Sequence, residues 1–483
     1  MATITSTGIG SGLDVASIVS QLMALEQKPL TLLQQTQSSL NTKMSAIGTL
    51  QSRMSSLRDA SNALTSVSLW NRNVATTSNA TAVSVSAAEG SAAGTYAVQV
   101  QALASQQTLA SQAFTSASTA VGSGSLTIEL GSWTGSPSTT GFTAKTGSTP
   151  VTIEIGEGET SLEAIRDKIN ASGAGITATI INDASGARLS MRSKETGAEN
   201  GFRVTATETS DDGSSTTGLS TLGYTAIGSG SPMTRSQTAG NAQATINGIA
   251  VNSATNKLTG VADGLTLTLQ QVTTAAAEVK VTADTEAVRT NITNFVTAFN
   301  DVANYIREQT KYNADTKVGG TLQGDRLVGS LQNQLRAIVN EGSSASGVFS
   351  RLTDIGISFT SSGTLQTDAT KLNNALANLP ELRKVLAADG TDSASSGFID
   401  RFKDFATSVL GSEGAFESRT ASLKGQLTLN SKSQESMQRR LTQTEERLNR
   451  QYQALDLAMS QLNGTSGYLT QQLDMLSKNY GNN

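Results

Sequence analysis

No cysteine and no histidine occur among the 483 residues of the chain. The first absence excludes disulfides, thiol nucleophiles and thiolate metal sites. The second removes the commonest general base and metal ligand. Most familiar hydrolase chemistry falls away with them, and although Ser-Lys pairs, carboxylate pairs and oxygen-only cation sites stay open, no spacing marks one. The chain is therefore read as a non-enzyme with no cofactor and no metal site. Charge is also scarce: charged residues make up 15% of the chain against a typical ~25%, and the net charge is -4. With no basic face to neutralise phosphates, nucleic-acid binding has little electrostatic support. Between Met1 and Leu25 there is no basic n-region, no continuous apolar core and no small-residue cleavage site, so no secretory signal peptide is expected there. No transmembrane run is visible in the sequence. A cytoplasmic protein and one exported through an uncleaved, polar N-terminal segment would look alike in these respects.

What is present is enough apolar material to fold. Hydrophobic residues are 37% before the 44 glycines are counted, which together fall in the ordinary range. A chain of this length should divide into roughly two to four domains, each with its own core.

The first thirteen residues are polar and glycine-rich and read as an unstructured lead. Asp14 is a good N-cap, and Val15, Ile18, Leu22 and Leu25 follow at helical spacing. Pro29 should kink or restart the helix. The apolar stripe then resumes as Leu33, Leu40, Ile47 and Met54, with Leu50, Leu57 and Leu64 alongside, to about Leu69. From Val74 the period changes to two, as in half-buried strands. Residues 117–150, rich in glycine, serine and threonine, read as turns and short strands. A compact unit follows, with strands at 151–155, 176–181 and 187–193 and a helix at 161–170, and a further β run reaches about Val281. After Asp284 helical patterns dominate, interrupted by a short strand pair near 355–365.

The sharpest pattern comes last. Leu441, Leu448, Leu455, Leu462, Leu469 and Leu476 stand at strict seven-residue spacing, with Tyr452, Met459 and Leu473 on a second seam. Such a helix needs a partner. The N-terminal helix, a neighbouring copy of the chain and the interior of a single domain are all open to it, and the mostly uncharged flanks do little to choose among them. Gly464 and Gly467 interrupt the seam.

Several segments carry a family likeness. GIGSGLDVASIVSQLMALEQKPL (8–30) and GTYAVQVQALASQQ (94–107) resemble the N-terminal module of the flagellar filament cap family, FliD. SLEAIRDKIN with ITATIINDASGARLSMRSKETG (176–197) resembles the flagellin-type insertion motif of hook-associated proteins. ATINGIAV, GLTLTL, FVTAFN (295–300), GTLQGDRLV (320–328), LTDIGISFTSSGTLQTD (352–368) and RLNRQYQALDLAMSQLN (447–463) resemble the C-terminal module. The RLSSGLRIN-type motif of flagellin itself is absent.

The resemblance implies an α+β multidomain fold, with terminal helices paired into a coiled-coil-like stalk and mainly β head domains inserted between them. The expected division is a terminal helical leg region (1–40 and 430–483), a mainly helical domain (41–73 and 284–429), an inner β head domain (74–120 and 236–283) and an outer β-rich head domain (121–235). It also implies a secreted, extracellular protein at the distal tip of the bacterial flagellum. There it would form a ring of four to six copies that retains flagellin and promotes its folding and insertion. The partners so implied are the chain itself, flagellin, hook-filament junction proteins and an export chaperone, with no nucleic acid and no membrane insertion. Filament docking and self-association are expected at Ile18, Leu22, Leu25, Leu441, Leu448, Tyr452, Leu455, Met459, Leu462 and Leu469. A secondary role in adhesion through the Ser/Thr-rich region 120–235 is weighed against its few aromatics, Trp133 being the one tryptophan there. An extracellular hydrolase in the same region lacks any convergent polar motif.

Overall fold

The computed structural model describes residues 14–136 and 139–480. The unstructured lead expected over residues 1–13 lies outside them. Two compact units divide the chain: one holds the segments up to Leu69 and from Thr285 onward, the other is Trp70–Asp284.

The first unit is helical because its sequence repeats apolar residues at three and four. Helix α1 (Val15–Glu26) begins at Asp14, whose carboxylate accepts a hydrogen bond from the Ser17 amide at 3.0 Å. Pro29 restarts the chain as expected: it lies in the first turn of α2 (Lys28–Thr65), where its missing N–H has no helical partner to lose. On α2, Ile47, Leu50, Met54, Leu57 and Leu64 are completely buried. They pack on α5 (Thr285–Thr310) and α9 (Phe398–Leu410). There the Phe402 ring lies 5.2 Å from Phe295 and 5.8 Å from Phe299. The Tyr305 hydroxyl donates to the Ala46 carbonyl at 3.2 Å, and the Arg53 guanidinium sits over the same ring. A single turn, α3 (Val67–Trp70), follows α2, and α4 belongs to the second unit. Helices α6 (Arg326–Asn340), α7 (Ala369–Leu376) and α8 (Leu379–Ala387) complete the core with Leu331, Leu335, Leu382 and Leu386. The strand pair expected near 355–365 forms as Ile357–Phe359 against Leu365–Thr367.

Helix α10 (Ala415–Tyr480) runs for 66 residues, roughly 100 Å at the usual rise. Phe416 and Leu423 anchor its start in the core. About two turns further along, a polar layer crosses the seam with α2. Gln434 Nε2 donates to Asn430 Oδ1 at 2.6 Å and to Gln37 Oε1 at 3.1 Å, and Asn430 is buried. Helix α2 passes residue 40 without a break, so the leg boundary expected there falls inside one continuous helix.

Among the described residues the second unit holds sixteen strands in chain order, β1 to β16, and α4 (Leu162–Ala171). Its inner part is a five-stranded sheet of β1 (Asn73–Thr77), β16 (Ala277–Ala283), β3 (Gly94–Ala102), β12 (Ala242–Ile246) and β13 (Ile249–Ser253). It faces a three-stranded sheet of β14 (Lys257–Thr259), β15 (Leu265–Leu269) and β2 (Val83–Ala87). Val83, Val98, Val100, Leu267 and Val279 fill the space between the sheets. Asn247 and Gly248 join β12 to β13 with φ of 49° and 81°, the left-handed pair that a tight hairpin demands.

The outer part packs α4 and two four-stranded sheets around Leu126, Ile128, Ile153, Ile165, Ile176, Leu189, Met191 and Phe202. Two expectations are corrected here. The stretch 117–150 is not mainly turns: β5 (Gly124–Ser136) is a long strand paired with β6 (Thr139–Ala144), β7 (Val151–Ile155) and β10 (Gly201–Glu208). Gly124 and Gly131 mark close approaches rather than turns: a Cβ on Gly131, for example, would lie 2.3 Å from the Thr143 carbonyl oxygen. The inner head domain also does not extend to residue 120. Strand β4 (Thr108–Ala110), between β9 (Gly186–Ser193) and β11 (Thr234–Gln237), buries Leu109 in the outer cluster, and β8 (Ile176–Asp183) closes that sheet.

Candidate docking surface

The surface is built on α1 and the far half of α10. Three residues of α1 at four-residue spacing, Val15, Val19 and Met23, face α10 and are buried with Leu441. Leu30, Met437, Leu448 and Tyr452 pack around them. The helices run antiparallel, since Leu30 and Met437 mark one end of the cluster and Val15 and Tyr452 the other.

The row of α1 that meets α10 is thus one residue round from the stripe expected there. Val19 and Met23 are buried, whereas Ile18 and Leu22 are half-buried and Leu25 is exposed. The reason is that α1 carries two adjoining apolar rows. The valine–methionine row is the one turned to Leu441, which leaves the bulkier row on the flank. Writing out both rows would have revealed Val19 and Met23.

Beyond Tyr452 no described residue covers the seam. Leu441 is 7% exposed, but Leu455 is 46%, Leu462 63% and Leu469 55% exposed. Met459 is half-buried. The structure therefore brings Leu441, Leu448 and Tyr452 together with α1 and, among the described residues, leaves Leu455, Leu462 and Leu469 without an apolar neighbour element. Leu457, Tyr468, Leu473, Met475 and Leu476 are exposed on the same length of helix. Leu457, Tyr468 and Met475 lie off the heptad seam, which is why periodicity passes over them.

Charge changes along the helix with cover. Residues 435–450 hold seven charged side chains, and residues 455–480 hold three, Asp456, Asp474 and Lys478. An apolar row with few charges beside it has little desolvation to overcome when it is covered, so this segment can dock by burial. Burying one such leucine is worth ~1.5 to 3 kcal/mol.

Elsewhere, carboxylate oxygens of Glu208, Asp211 and Asp212 lie within 4.8 Å of one another. Each already accepts a hydrogen bond within its own loop, Glu208 from the Ser220 amide, Asp211 from the Gly213 amide and Asp212 from the Ser214 amide. Trp133 is held in a packed ring cluster, 4.9 Å from Phe142 and 5.1 Å from Tyr224, and its Nε1 donates to the Phe202 carbonyl. Among the described residues no helix is long and apolar enough to cross a membrane.

Comparison with known proteins agrees along the chain. Residues 11–107 match the flagellar hook-associated protein 2 N-terminus, residues 239–464 match the flagellar hook-associated protein 2 C-terminus, and residues 142–195 match the flagellin hook IN motif. Flagellar hook-associated protein 2 of Escherichia coli K12 is 33% identical over 98% of this chain and 99% of its own length. The B-type flagellar hook-associated protein 2 of Pseudomonas aeruginosa is 30% identical over 98% of each. The crystal structure of the D1-D2-D3 domains of the flagellar cap protein FliD from Escherichia coli superposes with a TM-score of 0.56 at 31% identity, covering 78% of this chain and 99% of that one. With terminal helices around β-rich middle domains, and with this identity along nearly its whole length, the chain belongs to the flagellar hook-associated protein 2 family, a structural family of flagellar cap proteins and not one of enzymes.

Proposed function

We propose that this chain caps the distal end of the growing flagellar filament as a closed ring of four to six copies, and that the α10 segment beyond Tyr452 docks into the filament end. The observation that carries this reading is the run of leucines at 455, 462 and 469, exposed and nearly free of charge in a chain of the cap family. In such a cap the β unit forms the plate and the helical unit the legs. The flanking residues Ile18, Leu22 and Leu25 widen the docking face. A ring with closed symmetry cannot match a helical lattice at every position, so one leg is poorly seated and leaves an opening for the next flagellin. The cap retains flagellin, favours its compact state by confinement, and steps as each subunit packs. The chain acts outside the cell at the filament tip, with hook-filament junction proteins and an export chaperone as further partners.

The test is the double variant Leu455→Asp with Leu462→Asp. Two charges in the exposed row leave the fold and export intact, while filaments fail to elongate and flagellin monomer is lost to the medium. Filaments of normal length in that strain would sink the docking reading. An adhesive role gains nothing from Trp133, whose ring is occupied by its own neighbours.

A further inference from the structure

Three asparagines in the chain precede glycine: Asn200, Asn247 and Asn463. This dipeptide is chemically weak. The unhindered glycine amide can attack the asparagine side chain, provided the backbone reaches an extended conformation and the side chain is free to turn.

The three sites differ sharply in that freedom. Asn200 is buried, its Oδ1 accepts from Lys145 Nζ at 2.6 Å and its Nδ2 donates to the Thr196 carbonyl at 2.6 Å. Asn247 is fixed in the left-handed hairpin turn, with its Oδ1 accepting from the Ala97 amide at 2.8 Å. Asn463 is exposed on α10, and among the described residues its side chain makes no hydrogen bond.

Only the helix protects Asn463, and the helix is weakest there. Asn463, Gly464, Thr465, Ser466 and Gly467 are five consecutive poor helix formers. Residues 461–470 are all exposed, so no packing among the described residues holds them in place. Neither glycine is required by the helical conformation, for a Cβ on Gly464 or Gly467 would meet nothing within 4 Å. A segment with low intrinsic propensity and no tertiary contact opens locally long before the molecule unfolds.

We propose that Asn463–Gly464 is a site of spontaneous deamidation, reached when α10 opens locally over residues 463–467. In the open form the Gly464 nitrogen bonds to the Asn463 side-chain carbonyl carbon, the bond from that carbon to Nδ2 breaks and ammonia leaves. Water then adds to either carbonyl of the cyclic imide, giving an aspartyl or an isoaspartyl linkage. Either product sets a carboxylate beside Leu462, and the isoaspartyl form adds a backbone methylene that the helix cannot accommodate. The chemistry stands on the helix alone. Its effect on capping rests on the docking reading.

The full-length chain is incubated at mildly alkaline pH, natively and in denaturant, and its peptides are mapped by mass for conversion of amide to acid. In denaturant the three asparagines convert at comparable rates. In the native chain Asn463 converts first, at least about tenfold faster than Asn200 or Asn247. Gly467→Ala leaves the reacting pair untouched but strengthens the helix, and slows Asn463 about fivefold. The proposal is overturned if native Asn463 keeps its amide as long as the other two, or if Gly467→Ala leaves its rate unchanged. Conversion at Asn463 combined with normal capping by an Asn463→Asp chain would leave the chemistry standing and count against the docking reading.

Discussion

The stem of α10, up to Tyr452, and its tip, from Leu455 onward, carry one leucine repeat and differ in what lies against it. In the stem Leu441 is buried by Val15, Val19 and Met23, and charged residues crowd the outer face. In the tip the same register of leucines is exposed, and the charges thin out. A heptad repeat therefore reports the capacity to form a seam and is silent about whether the partner is in the same chain. Charge density beside the seam is the feature that separates the two halves. Covered helix keeps its solvated charged face, while the uncovered half has lost one.

The largest test of this contrast is a matched pair of truncations. Leu441→Ala should lower the unfolding free energy by about 2 to 4 kcal/mol by opening a cavity under α1. Leu462→Ala should change it by less than about 0.5 kcal/mol. Denaturant titration reads both, and equal losses would mean that the tip is covered in solution. A smaller effect sharpens the stem itself. Asp14→Ala removes the cap of α1 and should cost about 1 kcal/mol, seen as faster hydrogen exchange of the Ser17 amide with no change at Leu455. The smallest effect is expected on acidification, and it falls on the loops of the helical unit. Glu381 is held below the ordinary glutamate range by the Lys384 ammonium and the Ser346 hydroxyl, and Asp392 below the aspartate range by the Ser395 amide and hydroxyl. Lowered folded values mean that these contacts stabilise the protein above the usual carboxylate range and are lost as pH falls below about 4. Amide exchange at Gly347 and Ser395 should rise there, while Glu381→Gln should remove the acid response at Gly347.

Much of the architecture could be read from local pattern. Asp14, Pro29, the α2 stripe and the strand at 151–155 all lie where spacing and capping chemistry put them, because each depends on residues close in sequence. What escaped depends on distant neighbours. The glycines of β5 look like turn signals until Thr143 is seen against Gly131. Leu109 could belong to either β core until Met191 is found beside it in register. At the candidate docking surface the leucines of α10 are plain in the sequence, but the choice of the Val15–Val19–Met23 row over Ile18–Leu22–Leu25 is made by contact with Leu441, which no periodicity in α1 records.

The polar layer of Asn430, Gln434 and Gln37 bears on how such a chain finds its shape. Leucines every seven residues allow α10 to slide along its partner by one repeat, about 10 Å, with the apolar rows still in contact. Such a slip would carry the Asn430–Gln434 pair along within α10 but would break the hydrogen bonds from Gln434 to Gln37 and to the Leu33 carbonyl, which tie α10 to α2. The layer thus works as a proofreading mark: of the alignments that grease alone would tolerate, it favours the one in which Gln434 meets Gln37.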